Sequence, residues 1–262
     1  MRTAKMMNID WLTFLLKLLL VPTFIGIVSL AGRKWGPTVS GWLVGLPLIS
    51  GPVVFILALE QGNVFASAAS QAIIMGIVSV FIYALVYSWA AMYRTWPLSL
   101  LAGLCVYFAC TFFLEFISPP LLIGFALAIA VLLTSLLLMR QAGSDKVSQK
   151  SPRWEIPARM VSATALVFLI TGVAQMLGPQ LTGLLTPFPI YATILAVFTH
   201  RYAGGAQAVK LLRGVVAGSF TFAVFFLVIS STIIVWGIGL AFVCAISVSL
   251  LTHIASLQFL RR

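Results

Sequence analysis

Apolar runs of about 20 residues recur along the whole chain, and each is long enough to cross roughly 30 Å of hydrocarbon as a helix. Apolar residues make up 61% of the 262 residues and charged residues only 8%, whereas soluble domains carry roughly 25% charged residues. Because hydrocarbon offers no partner to backbone amides and carbonyls, such runs cross a membrane as helices. The sequence therefore predicts an all-α polytopic membrane helix bundle.

Glycine, proline and charged residues divide the apolar runs into about nine transmembrane helices. One long run contains Ser118-Pro119-Pro120, and because a proline pair cannot continue a helix it predicts a tight hairpin between two spans. An odd number of spans puts the two ends of the chain on opposite sides of the membrane. The predicted spans are residues 18–35, 39–59, 72–93, 96–117, 119–139, 158–177, 181–199, 211–230 and 233–257.

Basic residues are distributed unequally between the two sides that nine spans create. Arg2, Lys5 and Lys17 fall on one side, and the other 13 of the 16 basic residues fall on the opposite side. The positive-inside rule assigns this second side to the cytoplasm, which predicts a periplasmic N-terminus and a cytoplasmic C-terminus. The net charge of +11 then needs no nucleic acid, because the charges lie in short loops and not along one polar face.

The two halves of the sequence repeat one another at an offset of 142 residues. Further along, the register resumes at an offset of 138, which aligns Gly76 with Gly214 and Glu115 with His253. Glycines and prolines at irregular spacing rarely coincide by chance. The pairs at the offset of 142 are Gly36 with Gly178, Pro37 with Pro179, Gly41 with Gly183, Leu43 with Leu185, Pro47 with Pro189, Gly62 with Gly204, Ala66 with Ala208 and Lys17 with Arg159.

This repeat predicts four segments along the chain. They are a first four-span repeat with an N-terminal lead (1–117), a linker transmembrane helix (118–139), a cytoplasmic linker (140–157) and a second four-span repeat (158–262). Because the linker helix delivers the second half to the opposite side, the two repeats are predicted to be inverted. Inverted repeats are typical of secondary transporters, although a duplication can also simply enlarge a bundle.

The segment Gly183-Leu-Leu-Thr-Pro-Phe-Pro189 with the following Ile190-Tyr-Ala-Thr-Ile-Leu-Ala-Val-Phe-Thr-His200 resembles the small GlpM-like membrane proteins. The likeness covers roughly residues 178–256 and is weaker at Gly41-Trp-Leu-Val-Gly-Leu-Pro47 in the first half. The resemblance implies a multi-pass protein of the bacterial inner membrane, linked to glycerol metabolism and exopolysaccharide production. It implies no agreed molecular activity.

Prolines and glycines interrupt the second and the seventh predicted spans at corresponding places in the two halves. A break inside a membrane helix leaves carbonyls that hydrocarbon cannot satisfy, so it is tolerated where it faces protein or a water-filled cavity. Paired breaks of this kind indicate a substrate site between repeats, and two packed kinks are the alternative. The candidate substrate-binding residues are Gly45, Pro47, Ser50, Pro52, Thr186, Pro187, Pro189 and Tyr191.

Glu60, Glu115 and His253 are the titratable residues predicted at membrane depth, and they are candidates for proton coupling. An interfacial position for the two glutamates, and a packed side chain with a hydroxyl partner for His253, are the alternatives. Paired histidines at metal spacing, phosphate-binding glycine loops and nucleophile elbows are missing from the sequence. We therefore expect no catalytic residue, no cofactor and no metal site.

Together these features favour a secondary transporter or flippase-like carrier over an enzyme. The low polarity around the breaks predicts a small neutral, amphipathic or lipid-like substrate. The alternative is a membrane scaffold for an envelope polysaccharide or lipid biosynthesis or export complex, which would dock partners through small-residue faces such as Gly214 with Gly218 and Ala126 with Ala130. Beyond the bilayer and the substrate, the partners left open are a second copy of the chain and such a complex.

The charge distribution makes a direct prediction about topology. In a variant without Cys105, Cys110 and Cys244, an impermeant maleimide should label Thr3→Cys in right-side-out membranes and Ser148→Cys only in inverted membranes, because positive loops remain in the cytoplasm. The reverse labelling pattern would contradict the predicted orientation.

Overall fold

A computed structural model describes residues 2–48, 50–117, 119–140, 152, 154–165 and 188–260. These ranges contain helices and no strand, which agrees with the all-α prediction. The helices are α1 (Arg2–Trp35), α2 (Pro37–Val44), α3 (Ser50–Gln61), α4 (Asn63–Ala91), α5 (Trp96–Leu114), α6 (Leu121–Leu138), α7 (described over 155–165), α8 (Ile190–Ala203) and α9 (Gly205–Leu260).

Four helices of the described part are long and apolar enough to cross a membrane: Asn63–Ala91, Trp96–Leu114, Leu121–Leu138 and Gly205–Ser256. A shorter apolar helix covers Ser50–Leu59. Large apolar side chains also cover the outside of the bundle, as Leu137 is 82% exposed and Val235 is 78% exposed. An apolar exterior of this kind suits lipid as the surrounding solvent, so the fold is that of a membrane helix bundle.

Glycines with positive φ join several helices directly. Gly36, Gly62, Gly204 and Gly237 have φ values of 94°, 88°, 90° and 73°, a region that side chains with a Cβ avoid. Gly237 lies inside α9 and divides it into α9a (205–236) and α9b (238–260). Each of these glycines lets one helix end and the next begin without a loop.

The predicted boundary between the last two spans, at residues 231–232, is wrong. The helix continues through Ser231 and Thr232, whose hydroxyls donate to the carbonyls of Leu227 and Val228 at 2.8 and 2.6 Å. Hydroxyls that bond back to their own helix are compatible with its interior. The chain turns at Gly237 instead.

The predicted helix break between α5 and α6 is present in the residues described on either side of position 118, and both helices pack against α4. α5 ends at Leu114 and α6 begins at Leu121, directly after Pro120. The side-chain amide of Gln71 in α4 donates to the carbonyl of Pro119 at 2.8 Å. This bond holds the hairpin against the first half of α4.

Helices α4 and α9a form the centre of the bundle and run antiparallel. Near the start of α4, the hydroxyl of Ser67 donates to the carbonyl of Ser230 at 2.7 Å. At the other end of α4, the carbonyl of Ala91 lies against Gly205 so closely that a Cβ on the glycine would collide with it. The two helices therefore lie side by side over the full length of α4.

One end of the bundle collects basic residues from several helices. The guanidinium of Arg213 at the start of α9 donates to the carbonyls of Leu136 and Met139 at 2.9 and 2.6 Å, which places the end of α6 beside it. Arg33 at the end of α1 donates to the carbonyl of Pro152 at 3.2 Å. We call this end, where α1, α4, α6 and α8 finish and α7 and α9 begin, the basic end.

Helix α2 packs against α9a through backbone atoms. A Cβ on Gly41 would collide with the carbonyl of Leu211, and one on Gly214 would collide with the carbonyl of Thr38. A Cβ on Gly218 would likewise meet the carbonyl of Trp42. Such close approach is the way in which small residues stabilise helix pairs in a membrane.

This packing predicts a strong effect of a single methyl group. Gly41→Ala should destabilise the protein by about 1–3 kcal/mol, because overpacking forces the two backbones apart. The matched control is Gly239→Ala, since nothing lies within 4 Å of the Cβ that it adds. Thermal unfolding in detergent measures both variants, and equal midpoints would contradict the packing.

Candidate functional site

The second predicted span is broken, as its prolines and glycines predict. Helix α2 ends at Val44, the chain turns through residues 45–48, and α3 begins at Ser50. Pro47 has no amide to donate, and its carbonyl accepts a hydrogen bond from the amide of Gly51 at 2.9 Å. Pro52 lies in the first turn of α3 and is exposed. Backbone of the same chain therefore satisfies a carbonyl at the break.

Gly45 at this break faces protein and not an open cavity. A Cβ on Gly45 would collide with the backbone of Gly218 and meet the amide nitrogen of Ser219. The face formed by Gly214 and Gly218 is thus occupied by α2 within the chain. Ala126 and Ala130 on α6 remain exposed.

The second break lies only partly within the described residues. Thr186 and Pro187 are outside them, whereas Pro189 directly precedes α8 and its carbonyl accepts from the amide of Thr193 at 2.8 Å. The ring of the preceding Phe188 packs against Tyr107 of α5, with 5.2 Å between ring centroids. Aromatic rings from α5 therefore cover the start of α8.

Tyr191 is a candidate of the second break, and its side chain carries a buried hydroxyl. Its ring packs edge-on against Phe24 of α1, with 5.3 Å between centroids. Its hydroxyl is buried and has no hydrogen-bond partner among the described residues. One turn away from the break, Thr193 donates to the hydroxyl of Tyr83 in α4 at 3.0 Å.

Helices α2 and α8 pack against the same partner. α2 and α8 contact each other, and both pack against α9. The sequence predicted a substrate site between the repeats, and that site stays a prediction. The candidates Gly45 and Tyr191 nevertheless face different neighbours, α9a and α1 respectively.

A polar cluster lies beside α2, and we call it the His253 cluster: Trp42, Thr221, His253 and Ser256. The imidazole of His253 stacks on the indole of Trp42, with 3.7 Å between centroids and 12° between planes. Its Nδ1 is 2.9 Å from the hydroxyl oxygen of Thr221. The indole Nε1 of Trp42 donates to the hydroxyl of Ser256 at 2.9 Å. The cluster therefore joins α2 to both α9a and α9b.

His253 is buried, and its Nε2 has no hydrogen-bond partner in the described part of the chain. The hydroxyl partner expected under the alternative of a packed side chain is thus present at Nδ1, whereas the second ring nitrogen bonds to none of the described residues. An unused imidazole nitrogen can accept or donate one proton.

The two glutamate candidates are not brought to His253. Glu60 lies in the last turn of α3, and its side chain is outside the described residues. Glu115 follows the last residue of α5 and is half-buried. Since α5 begins near the basic end and runs away from it, Glu115 lies at the opposite end of the bundle.

The sequence did not predict a functional role for four of these residues, which are Tyr83, Trp42, Thr221 and Ser256. Each lies inside an apolar run, where a hydroxyl or an indole carries no signal of its own in one sequence. Their only sequence signal is that an isolated polar group at membrane depth needs a partner.

No group of three His, Cys, Asp and Glu side chains in the described ranges is arranged to hold a metal ion. Comparison of the chain with family models, with curated proteins and with solved structures gives no match.

The hydrogen bond between Thr193 and Tyr83 predicts coupled stability effects. In a double-mutant cycle, Thr193→Val and Tyr83→Phe should interact by about 0.6–1.7 kcal/mol, the range for polar pairs inside membranes. Tyr83→Phe combined with Ser70→Ala is the control, because Ser70 bonds only to its own helix at Ala66. Additive effects in both cycles would contradict the bond.

Proposed function

We propose that this chain is a secondary transporter or flippase-like carrier that works by alternating access, with the broken second and seventh spans forming the substrate site. The observation that carries the proposal is the break between α2 and α3, which lies against α9 and next to the His253 cluster. Non-helical backbone at membrane depth is expected where it is covered by protein or lines a path for substrate. No enzymatic step is proposed.

Two matching helix ends support the repeat on which this mechanism depends. α3 ends at Gln61 and α8 ends at Ala203, which differ by the offset of 142. The next residues are Gly62, with φ 88° and ψ 168°, and Gly204, with φ 90° and ψ 166°. The same backbone geometry at aligned positions favours two copies of one structural unit.

The antiparallel pair of α4 and α9a supports the inversion. Ser67 near the start of α4 contacts Ser230 near the end of α9a, and Ala91 at the end of α4 contacts Gly205 at the start of α9a. A two-fold axis in the membrane plane that exchanges the two halves would relate two helices that run antiparallel in this way.

The charges of the basic end support the proposed orientation. We propose that the chain crosses the membrane nine times. With the basic end in the cytoplasm, the N-terminus is then periplasmic and the C-terminus cytoplasmic. The resemblance of residues 178–256 to GlpM-like proteins supports the bacterial inner membrane as the location.

The groups near the breaks support a substrate of low charge. Buried polar groups near the breaks include the hydroxyls of Thr193, Tyr83, Tyr191 and Thr221 and the ring of His253. They can hydrogen-bond a small neutral or amphipathic molecule but cannot neutralise a multiply charged one. We propose His253 as the first coupling residue to test, ahead of Glu60 and Glu115, because its Nε2 is buried and bonds to none of the described residues.

A non-transporting scaffold is the second candidate. The exposed Ala126 and Ala130 on α6 support it, because a small-residue face on a membrane helix lets another helix approach closely. Under this proposal the breaks are packed kinks. The partner is an envelope biosynthesis or export complex, or a second copy of the chain.

Accessibility of the breaks distinguishes the two proposals. In a variant without the three native cysteines, an impermeant maleimide should label Ser50→Cys and Tyr191→Cys from both sides of the membrane, since an alternating site opens to each side in turn. Gly45 is unsuitable for this test, because any side chain there collides with Gly218.

Three control positions test whether the labelling reports the side of the membrane and exposure to water. Thr95→Cys, exposed near the basic end, should react from the cytoplasmic side only, and Gln61→Cys, exposed at the other end, from the periplasmic side only. Leu137→Cys, on the apolar exterior, should not react. If the controls behave so and neither break residue reacts from either side, the carrier is rejected in favour of the scaffold.

A further inference from the structure

A cavity of about 140 Å³ lies at the basic end, among α1, α2, α7, α8 and α9. None of the residues of the proposed substrate site lines it. A water molecule takes up about 30 Å³ of liquid, so the cavity has room for several waters or for one small oxyanion. Its polar lining consists of Ser29, Arg33, Ser40, Glu155, Arg159 and Thr199.

Three buried polar atoms around this cavity have no hydrogen-bond partner among the described residues. They are the hydroxyl oxygens of Ser29 and Ser40 and the Nε of Arg159. The three residues are 3%, 2% and 9% exposed, and they come from α1, α2 and α7. Because buried polar groups are rarely left unpaired, three of them around one cavity indicate a binding site.

The charge balance of the lining is positive. The carboxylate of Glu155 contacts the guanidinium of Arg159 and lies 3.5 Å from that of Arg33. Two cations and one anion leave a net charge of +1. Arg159 also donates from Nη2 to the hydroxyl of Thr199 at 3.4 Å. The remaining Nε–H of Arg159 can only donate, so its partner must be an acceptor, and the charge favours an anion.

We infer that this cavity binds a phosphoryl group. Three donors that arrive from three helices suit a tetrahedral oxyanion, whereas a planar carboxylate pairs best with two nitrogens of one guanidinium, and Glu155 already occupies Nη2. An anionic phospholipid headgroup and a free phosphate present the same group. Basic pockets between membrane helices are known to hold lipid headgroups.

The sequence repeat pairs like with like at these three positions. The offset of 142 aligns Ser29 with Thr171, Ser40 with Thr182 and Arg159 with Lys17. Hydroxyl is matched with hydroxyl and cation with cation, as sequence alone. The inference does not depend on transport, because binding can be measured without it.

The test uses the full chain, purified and delipidated in a neutral detergent. One arm titrates inorganic phosphate by equilibrium dialysis, and the other compares retention of phosphatidylglycerol and phosphatidylcholine by native mass spectrometry. Ser29→Ala combined with Ser40→Ala should weaken binding by about tenfold or more, since two hydrogen bonds to a charged group are lost. Ser79→Ala is the matched control, because its hydroxyl is also buried and has no partner in the described ranges but does not line the cavity.

Each outcome decides the inference. Phosphate binding that the double variant loses identifies a free phosphate site, and phosphatidylglycerol retention that the double variant loses identifies a headgroup site. Arg159→Gln gives a second measurement, with Glu155→Gln added to avoid an unpaired buried carboxylate. Binding of neither probe, or binding equally strong in the double variant and in Ser79→Ala, would overturn the inference and leave a cavity that holds only water.

Discussion

Direct contact between the backbones of α2 and α9a is the interaction on which this bundle depends. α2 has only eight residues, too few to cross a bilayer at 1.5 Å per residue. In lipid no hydrophobic driving force brings such a helix to its neighbours, so close packing must hold it in place. Gly41, Gly214 and Gly218 allow backbone carbonyls to lie against Cα atoms, where weak C–H···O contacts add to the dispersion attraction. The following break is tolerated because protein already covers it.

The position of α2 also determines where polar groups meet. Gly237 turns α9b back along the bundle, and His253 and Ser256 then reach Trp42. A helix break, a buried imidazole and a hydroxyl from α9a thus lie together, although they come from opposite ends of the chain. On the other side of the bundle, the start of α8 is closed by aromatic rings. Helices α2 and α8 share one partner, and yet their surroundings differ in polarity.

Local rules explain why much of the fold could be predicted. The hairpin at Pro119 and Pro120 and the break around Pro47 follow from the missing proline amide, which needs no tertiary information. The turn at Gly237 was missed because Ser231 and Thr232 resemble a boundary, and a sequence does not reveal that their hydroxyls bond back to the helix. The His253 cluster was missed for a different reason. Trp42 and Ser256 are 214 positions apart, and no periodicity links side chains that meet only through packing.

The glycine contact also has a consequence for the order of synthesis. The surface that receives Gly41 begins at Leu211, about 170 residues later in the chain. At about 5–20 residues per second, a ribosome needs on the order of ten seconds or more to deliver that surface. During this interval α2 has no α9 to cover its backbone. Biogenesis therefore includes a stage in which the first half is in the membrane without α9. The final helices then supply the contacts of α2 near the start of the chain as well as their own.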